Sequence, residues 1–140
     1  MRIAERSELL AAADRGALVE LADRLIDRHG RPLLIVPPET GLVALEVREP
    51  VETIRFRLGD VLVSRAEVEI GGATGWAVRP GDDRAAALAA AICAAVGDNE
   101  LVGHDLVDRL CQATADQIQA DDLAEWAELI ATRVEFEELD

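Results

Sequence analysis

The sequence predicts an α+β fold: N-terminal helices, a mainly antiparallel sheet of about four to five strands, an alanine-rich helix and C-terminal helices. Three observations predict it. Apolar residues recur at three- and four-residue steps over residues 3–29, at two-residue steps in short runs between residues 33 and 79, and at helical spacing again after residue 84. Half of the 140 residues are apolar, enough for a core, and 24 of them are alanine against two Phe, two Trp and no Tyr. That core must be thin and closely packed. No internal repeat or low-complexity linker interrupts the pattern, so residues 1–140 read as one domain.

Leu9, Leu10, Ala13, Leu18, Leu21, Ala22, Leu25 and Ile26 mark the buried face of one or two N-terminal helices, with Gly16 as the expected break. His29, Gly30 and Pro32 read as a helix ending: a cation near the last carbonyls and a glycine free to turn left-handed. Five runs rich in Val and Ile follow, separated by Pro or Gly: Leu33–Val36, Leu42–Arg48, Thr53–Leu58, Val61–Ile70 and Thr74–Arg79. In the third, strict alternation turns Ile54, Phe56 and Leu58 to a core and Arg55 and Arg57 outward. In the fourth, Arg65, Glu67 and Glu69 share one face. Gly71 to Gly75 hold the turn to the last strand.

Asp82 and Asp83 precede the next helix, Arg84 to Val96, and are placed to accept hydrogen bonds from its first free amides. That helix has no charge after Arg84, and eight of its next twelve residues are alanine, distributed all round it. No face is marked for water. Two coverings are open: a partner subunit on a face carrying Ala86, Ala90 and Ala94, or this chain's own C-terminal helices. A final helical region runs from about Leu101 to Arg133, with a break expected near Gln119 to Asp122.

All 14 basic residues are arginine, which excludes Schiff-base chemistry and a P-loop lysine. The net charge of -14 opposes binding to nucleic acid or to an anionic membrane. The longest uncharged run, Ala85 to Gly97, is 13 residues, short of a membrane span, and Glu5, Arg6 and Glu8 interrupt any signal stretch. The expected compartment is the cytoplasm. Residues 98–140 hold 13 carboxylates against two arginines, most of the net charge. This segment is either a solvated face or a docking surface for a basic partner.

Chemistry-bearing constellations are sparse. His29 and His104 have no His or Cys at ligand spacing, so no metal site is expected. Asp82 and Asp83 suit acid–base work less well than capping. Ser7 and Ser64 lack an evident base, and Cys93 and Cys111 read as buried, reduced thiols. No catalytic residue stands out.

Four stretches taken in order are similar to the PhnG family: Glu39-Thr40-Gly41-Leu42-Val43; Gly59-Asp60-Val61-Leu62-Val63-Ser64-Arg65-Ala66-Glu67-Val68; Gly75-Trp76-Ala77-Val78 with Gly81-Asp82-Asp83; and Ala131-Thr132-Arg133-Val134-Glu135-Phe136. The resemblance implies the small subunit of the carbon-phosphorus lyase core complex of phosphonate catabolism. Its implied partners are PhnI-, PhnH- and PhnJ-like subunits, with a PhnL-like ATPase joining transiently. Its implied reaction replaces the adenine of ATP by a phosphonate at ribose C1', as an alpha-D-ribose 1-methylphosphonate 5-triphosphate synthase does. The PhnI-like subunit carries the catalysis in this picture, and the chain has no cofactor of its own. Departures from the family pattern are Asp82 in place of an Arg, Ala86 and Ala94 in place of a His and an Asp, and Glu137 in place of a Phe.

Arg65, Arg133, Glu39 and Thr40 match the family pattern, and the arginines admit two roles: clamping a phosphate or phosphonate, or making an ion pair or subunit contact. The contact role is favoured. The alternatives to an accessory subunit are a small independent hydrolase or transferase using Asp82, Asp83 and Arg65, and a free-standing acidic interaction module.

Overall fold

The computed structural model describes residues 1–48 and 55–138, with the side chains at 47, 48, 56 and from 133 onwards outside the description. The expectations placed on Ile54 and on the side chains of Phe56 and Arg133 therefore fall outside the described residues. Among the described residues four helices and three strands follow in the order α1 (Ile3–Ala12), α2 (Arg15–His29), β1 (Leu33–Arg48), β2 (Arg55–Ile70), β3 (Ala73–Pro80), α3 (Arg84–Asp98) and α4 (His104–Glu138). The sheet is antiparallel in the order β1-β2-β3.

The five predicted runs join into three strands. Pro37 and Pro38, read as a separator, lie within β1 at a register shift between Val36 and Glu39, where an edge strand tolerates residues without an amide hydrogen. Leu58 is the extra residue of a further irregularity, opposite Leu45 and Glu46, and Gly59 continues β2 instead of ending it. Leu58 was expected in a core, but it is 59% exposed because β3 pairs with β2 only from Val63 to Ile70. Beyond Val63 the β1–β2 ribbon runs on as two strands, with Leu42, Val43 and Leu62 exposed.

Where all three strands pair, alternation decides the faces. Ser64, Ala66, Val68 and Ile70 of β2 and Ala73 and Ala77 of β3 point inward and are buried. Arg65, Trp76 and Val78 point outward and are exposed. Against the inner face lies α3, and α1, α2 and α4 enclose its other sides. Ala86 and Ala90 are 0% exposed and Ala94 4%, so the expectation of a partner-facing stripe on them is corrected. From Ala86 to Gly97 this chain's own elements bury all of the helix but Leu88, which is partly exposed, and short alanine side chains let them come close.

Asp14, not Gly16, separates the first two helices, its carboxylate accepting the Ala17 amide at 3.0 Å. Gly30 ends α2 at φ 90°, its amide donating to the Ile26 carbonyl. The predicted break in the last helix is absent: α4 is continuous over 35 residues, roughly 50 Å at 1.5 Å per residue. Neither Gly nor Pro interrupts it, and Gln112 and Gln117 each donate to an aspartate one turn on, Asp116 and Asp121, the second bond reaching into the expected break. Val107, Cys111 and Thr114 pack against the body, whereas residues 116–132 are exposed throughout.

Candidate functional site

Register places the family-like residues of β1 and β2 side by side. Glu39 pairs with Arg65 across the ladder and Thr40 with Ser64, so the first pair faces outward and the second inward. On the outer face Arg65 Nε donates to Glu39 Oε1 at 2.5 Å, with both side chains more than half exposed. They border a shallow cleft of about 410 Å³ that also touches Gly41, Leu42, Val43 and Val63. A second shallow cleft, of about 280 Å³, runs from Arg65 past Glu67 to Trp76 and Val78. Trp76 stands 57% exposed beside them. Alternation along β3, with Ala73, Gly75 and Ala77 buried, turns Trp76 outward.

The inner pair belongs to a polar knot at the start of α3. Thr40 Oγ1 donates to Asp82 Oδ1 at 2.7 Å and lies 3.0 Å from Ser64 Oγ. Ser64 Oγ donates to the Gly81 carbonyl at 2.8 Å and accepts the Asp83 amide at 2.9 Å. Two hydroxyl protons serve three contacts here, and the carboxylate and the carbonyl, which only accept, take them. Ser64 is 0% exposed, so its hydroxyl is a structural tie and not a nucleophile.

Asp82 and Asp83 have separate tasks. Asp83 caps α3, its Oδ1 accepting the Ala86 amide at 3.1 Å while Oδ2 accepts from Arg15 Nε at 2.5 Å. The Ala86 amide and the Arg15 guanidinium hold its carboxyl below the usual aspartate value. Asp82 does not cap, because Thr40 occupies it. The two carboxylates thus form no acid–base pair, and Arg65 lies on the opposite face of the sheet.

Arg133 lies on α4, but its side chain is not among those described, so it is not assigned to either face. His29 Nε2 meets the Val102 carbonyl at 2.7 Å, tying the end of α2 to the α3–α4 turn. Burial pushes the Cys93 thiol up to about 12 and that of Cys111 to about 11, so both remain protonated. Sequence reasoning passed over Arg6, which is 6% exposed and donates to Asp98 at 2.6 Å and Asp108 at 3.2 Å. Its position three residues before Leu9 on an amphipathic helix was the available signal. Among the described residues no group of three or more His, Cys, Asp or Glu is gathered to hold a metal, and no helix is long and apolar enough to cross a membrane.

Residues 3–139 match a family profile described as phosphonate metabolism protein PhnG. The chain belongs to the PhnG family. A curated relative, the alpha-D-ribose 1-methylphosphonate 5-triphosphate synthase subunit PhnG of Rhizobium meliloti (strain 1021), is 35% identical over 138 residues, covering 96% of this chain and 87% of that protein. The PhnG match thus takes in the Arg65–Glu39 pair, the Thr40–Ser64–Asp82 knot and the whole of α4.

Proposed function

We propose that the chain is an accessory, largely non-catalytic subunit of an alpha-D-ribose 1-methylphosphonate 5-triphosphate synthase, working with PhnI-, PhnH- and PhnJ-like subunits and transiently with a PhnL-like ATPase. The observation that carries this reading is the relative of that name, similar over nearly the whole chain. The reaction assigned to the complex breaks the bond between ribose C1' of ATP and adenine and forms a C1'–O bond to the phosphonate, adenine leaving with a proton. Such chemistry needs cationic groups on the triphosphate and a stabilised sugar cation.

The accessory role is supported by how the polar residues are employed. Ser64 and Asp83 are committed to holding α3 against the sheet, and both thiols are buried and protonated. The outer face of the sheet, with Arg65, Glu39 and the exposed Trp76, is the surface this reading assigns to a subunit contact. A place in the cytoplasm follows from the reaction's need for ATP. The test is affinity purification of the tagged chain after co-expression with the PhnI-, PhnH- and PhnJ-like proteins of its own genome. The expected result is a stoichiometric complex, and a chain that elutes alone at every ratio overturns the reading.

A further inference from the structure

From Asp116 to Thr132 every side chain of α4 is exposed, and Gln117, Ile118 and Asp121 still border a shallow cleft with Ala12, Asp14 and Ala17. The sequence there is not that of a solvated helix. Leu123, Trp126, Leu129 and Ile130 are 62%, 62%, 59% and 47% exposed. At 100° per residue these four fall within a stripe about 120° wide, the width a globular protein buries, which also takes in Gln119 and Asp122, while Asp121 and Glu128 lie opposite and Glu125 flanks it. Leu123, Trp126 and Ile130 stand at the spacing of three and four residues by which helical ligands fill a groove. Among the described residues α4 packs on α1, α2 and α3, and Val107, Cys111 and Thr114 of its first half supply its buried side chains.

Charge selects the occupant. Residues 116–132 hold five carboxylates and no arginine, on a chain of net charge -14. Bringing two such helices together adds like charges, whereas a groove rimmed by Arg or Lys is attracted to the acidic flank and receives the apolar stripe. We infer that α4 docks through Leu123, Trp126, Leu129 and Ile130 into an apolar groove, rimmed by basic residues, on another subunit of the synthase. The inference rests on the proposed function and adds to it the element that makes the contact and the chemistry of the surface that receives it.

The test uses the full chain, whose two tryptophans, Trp76 and Trp126, are told apart by the signal that Trp126→Phe removes, mixed with the purified PhnI-, PhnH- and PhnJ-like subunits. Selective labelling of this chain with 5-fluorotryptophan gives Trp126 its own fluorine signal, whose sensitivity to solvent isotope reports exposure. The signal is expected to shift and lose that sensitivity in the complex. Trp126→Ala should raise Kd about tenfold or more. Replacing Asp121, Glu125 and Glu128 by their amides should slow association severalfold at low salt and little at high salt. These side chains are exposed, so unchanged circular dichroism is expected for each variant. A complex in which Trp126 stays solvent-exposed overturns the docking inference and leaves the subunit reading standing. Failure to form any complex overturns both. Burial of Trp126 in the chain alone, in a species of twice the mass, overturns the basic partner in favour of a second copy.

Discussion

Gly75 of β3 lies so close to Ala95 of α3 that a methyl group on it would stand 2.3 Å from the Ala95 amide nitrogen and 2.5 Å from the Ala91 carbonyl oxygen. The obstacles are backbone atoms and have no rotamer to change. The alanine-rich sequence of α3 and the glycine on β3 are therefore two halves of one contact, in which helix and strand approach nearly backbone to backbone. Gly75→Ala must push the helix off the sheet, at a cost of about 3 kcal/mol by the usual range for overpacking. Gly41→Ala is the control, because a methyl there meets nothing within 4 Å. Urea unfolding midpoints of the two variants check the contrast.

Arg6 of α1 packs at the same, C-terminal end of α3. Its guanidinium bridges Asp98 at the end of α3 and Asp108 on α4, and Gly97 leaves room for it, since a methyl there would lie 2.8 Å from Arg6 Cδ. Arg6→Ala is expected to destabilise the fold by about 2–3 kcal/mol, as loss of a buried charged hydrogen-bond donor does. Asp108→Asn, at the longer and more exposed contact, should cost less. Thermal unfolding of both variants orders them.

For Asp83 the pH dependence has a definite sign. Its carboxyl is held below the usual value, so the stability it contributes is fully present above the unfolded aspartate value of about 4 and is lost as pH falls through the lower folded value. Asp83→Asn keeps an oxygen for the Ala86 amide but removes the charge facing Arg15. Its melting temperature should therefore lie below that of the parent at pH 7, with the gap closing in acid. A gap independent of pH would assign the effect to the cap alone.

The outer ion pair should behave differently. Arg65 and Glu39 are 62% and 51% exposed, and pairs of that kind contribute at most about 1 kcal/mol. Arg65→Ala is expected to melt within a few degrees of the parent and yet to weaken assembly with the partner subunits, measured by titration calorimetry. Reduced turnover by a normally assembled complex would point instead to an anion clamp.

The α+β class was legible because two periodicities, of two and of about 3.6 residues, divide the chain cleanly. So were the inward side of β2, the left-handed Gly30 and the cap by Asp83. Strand ends were not legible. Pro37, Pro38 and Gly59 have the local chemistry of turns, and only pairing with a neighbouring strand turns them into irregularities within long strands. The cover over α3 was also hidden, because alanine on all sides says that a helix is enclosed and not by what. At the candidate site, carboxylates near Arg65 were foreseen. Thr40, Ser64 and Asp82 meet through the register of two strands and a turn, which no spacing along the chain encodes.

Release of adenine from ATP in the presence of methylphosphonate tests the central claim most directly. The assay compares the purified chain alone, the PhnI-, PhnH- and PhnL-like proteins without it, and the full set. The account predicts no release above background from the chain alone, little from the partners alone, and sustained release from the full set. Robust release by the chain alone, or full release by the partners without it, would contradict the account.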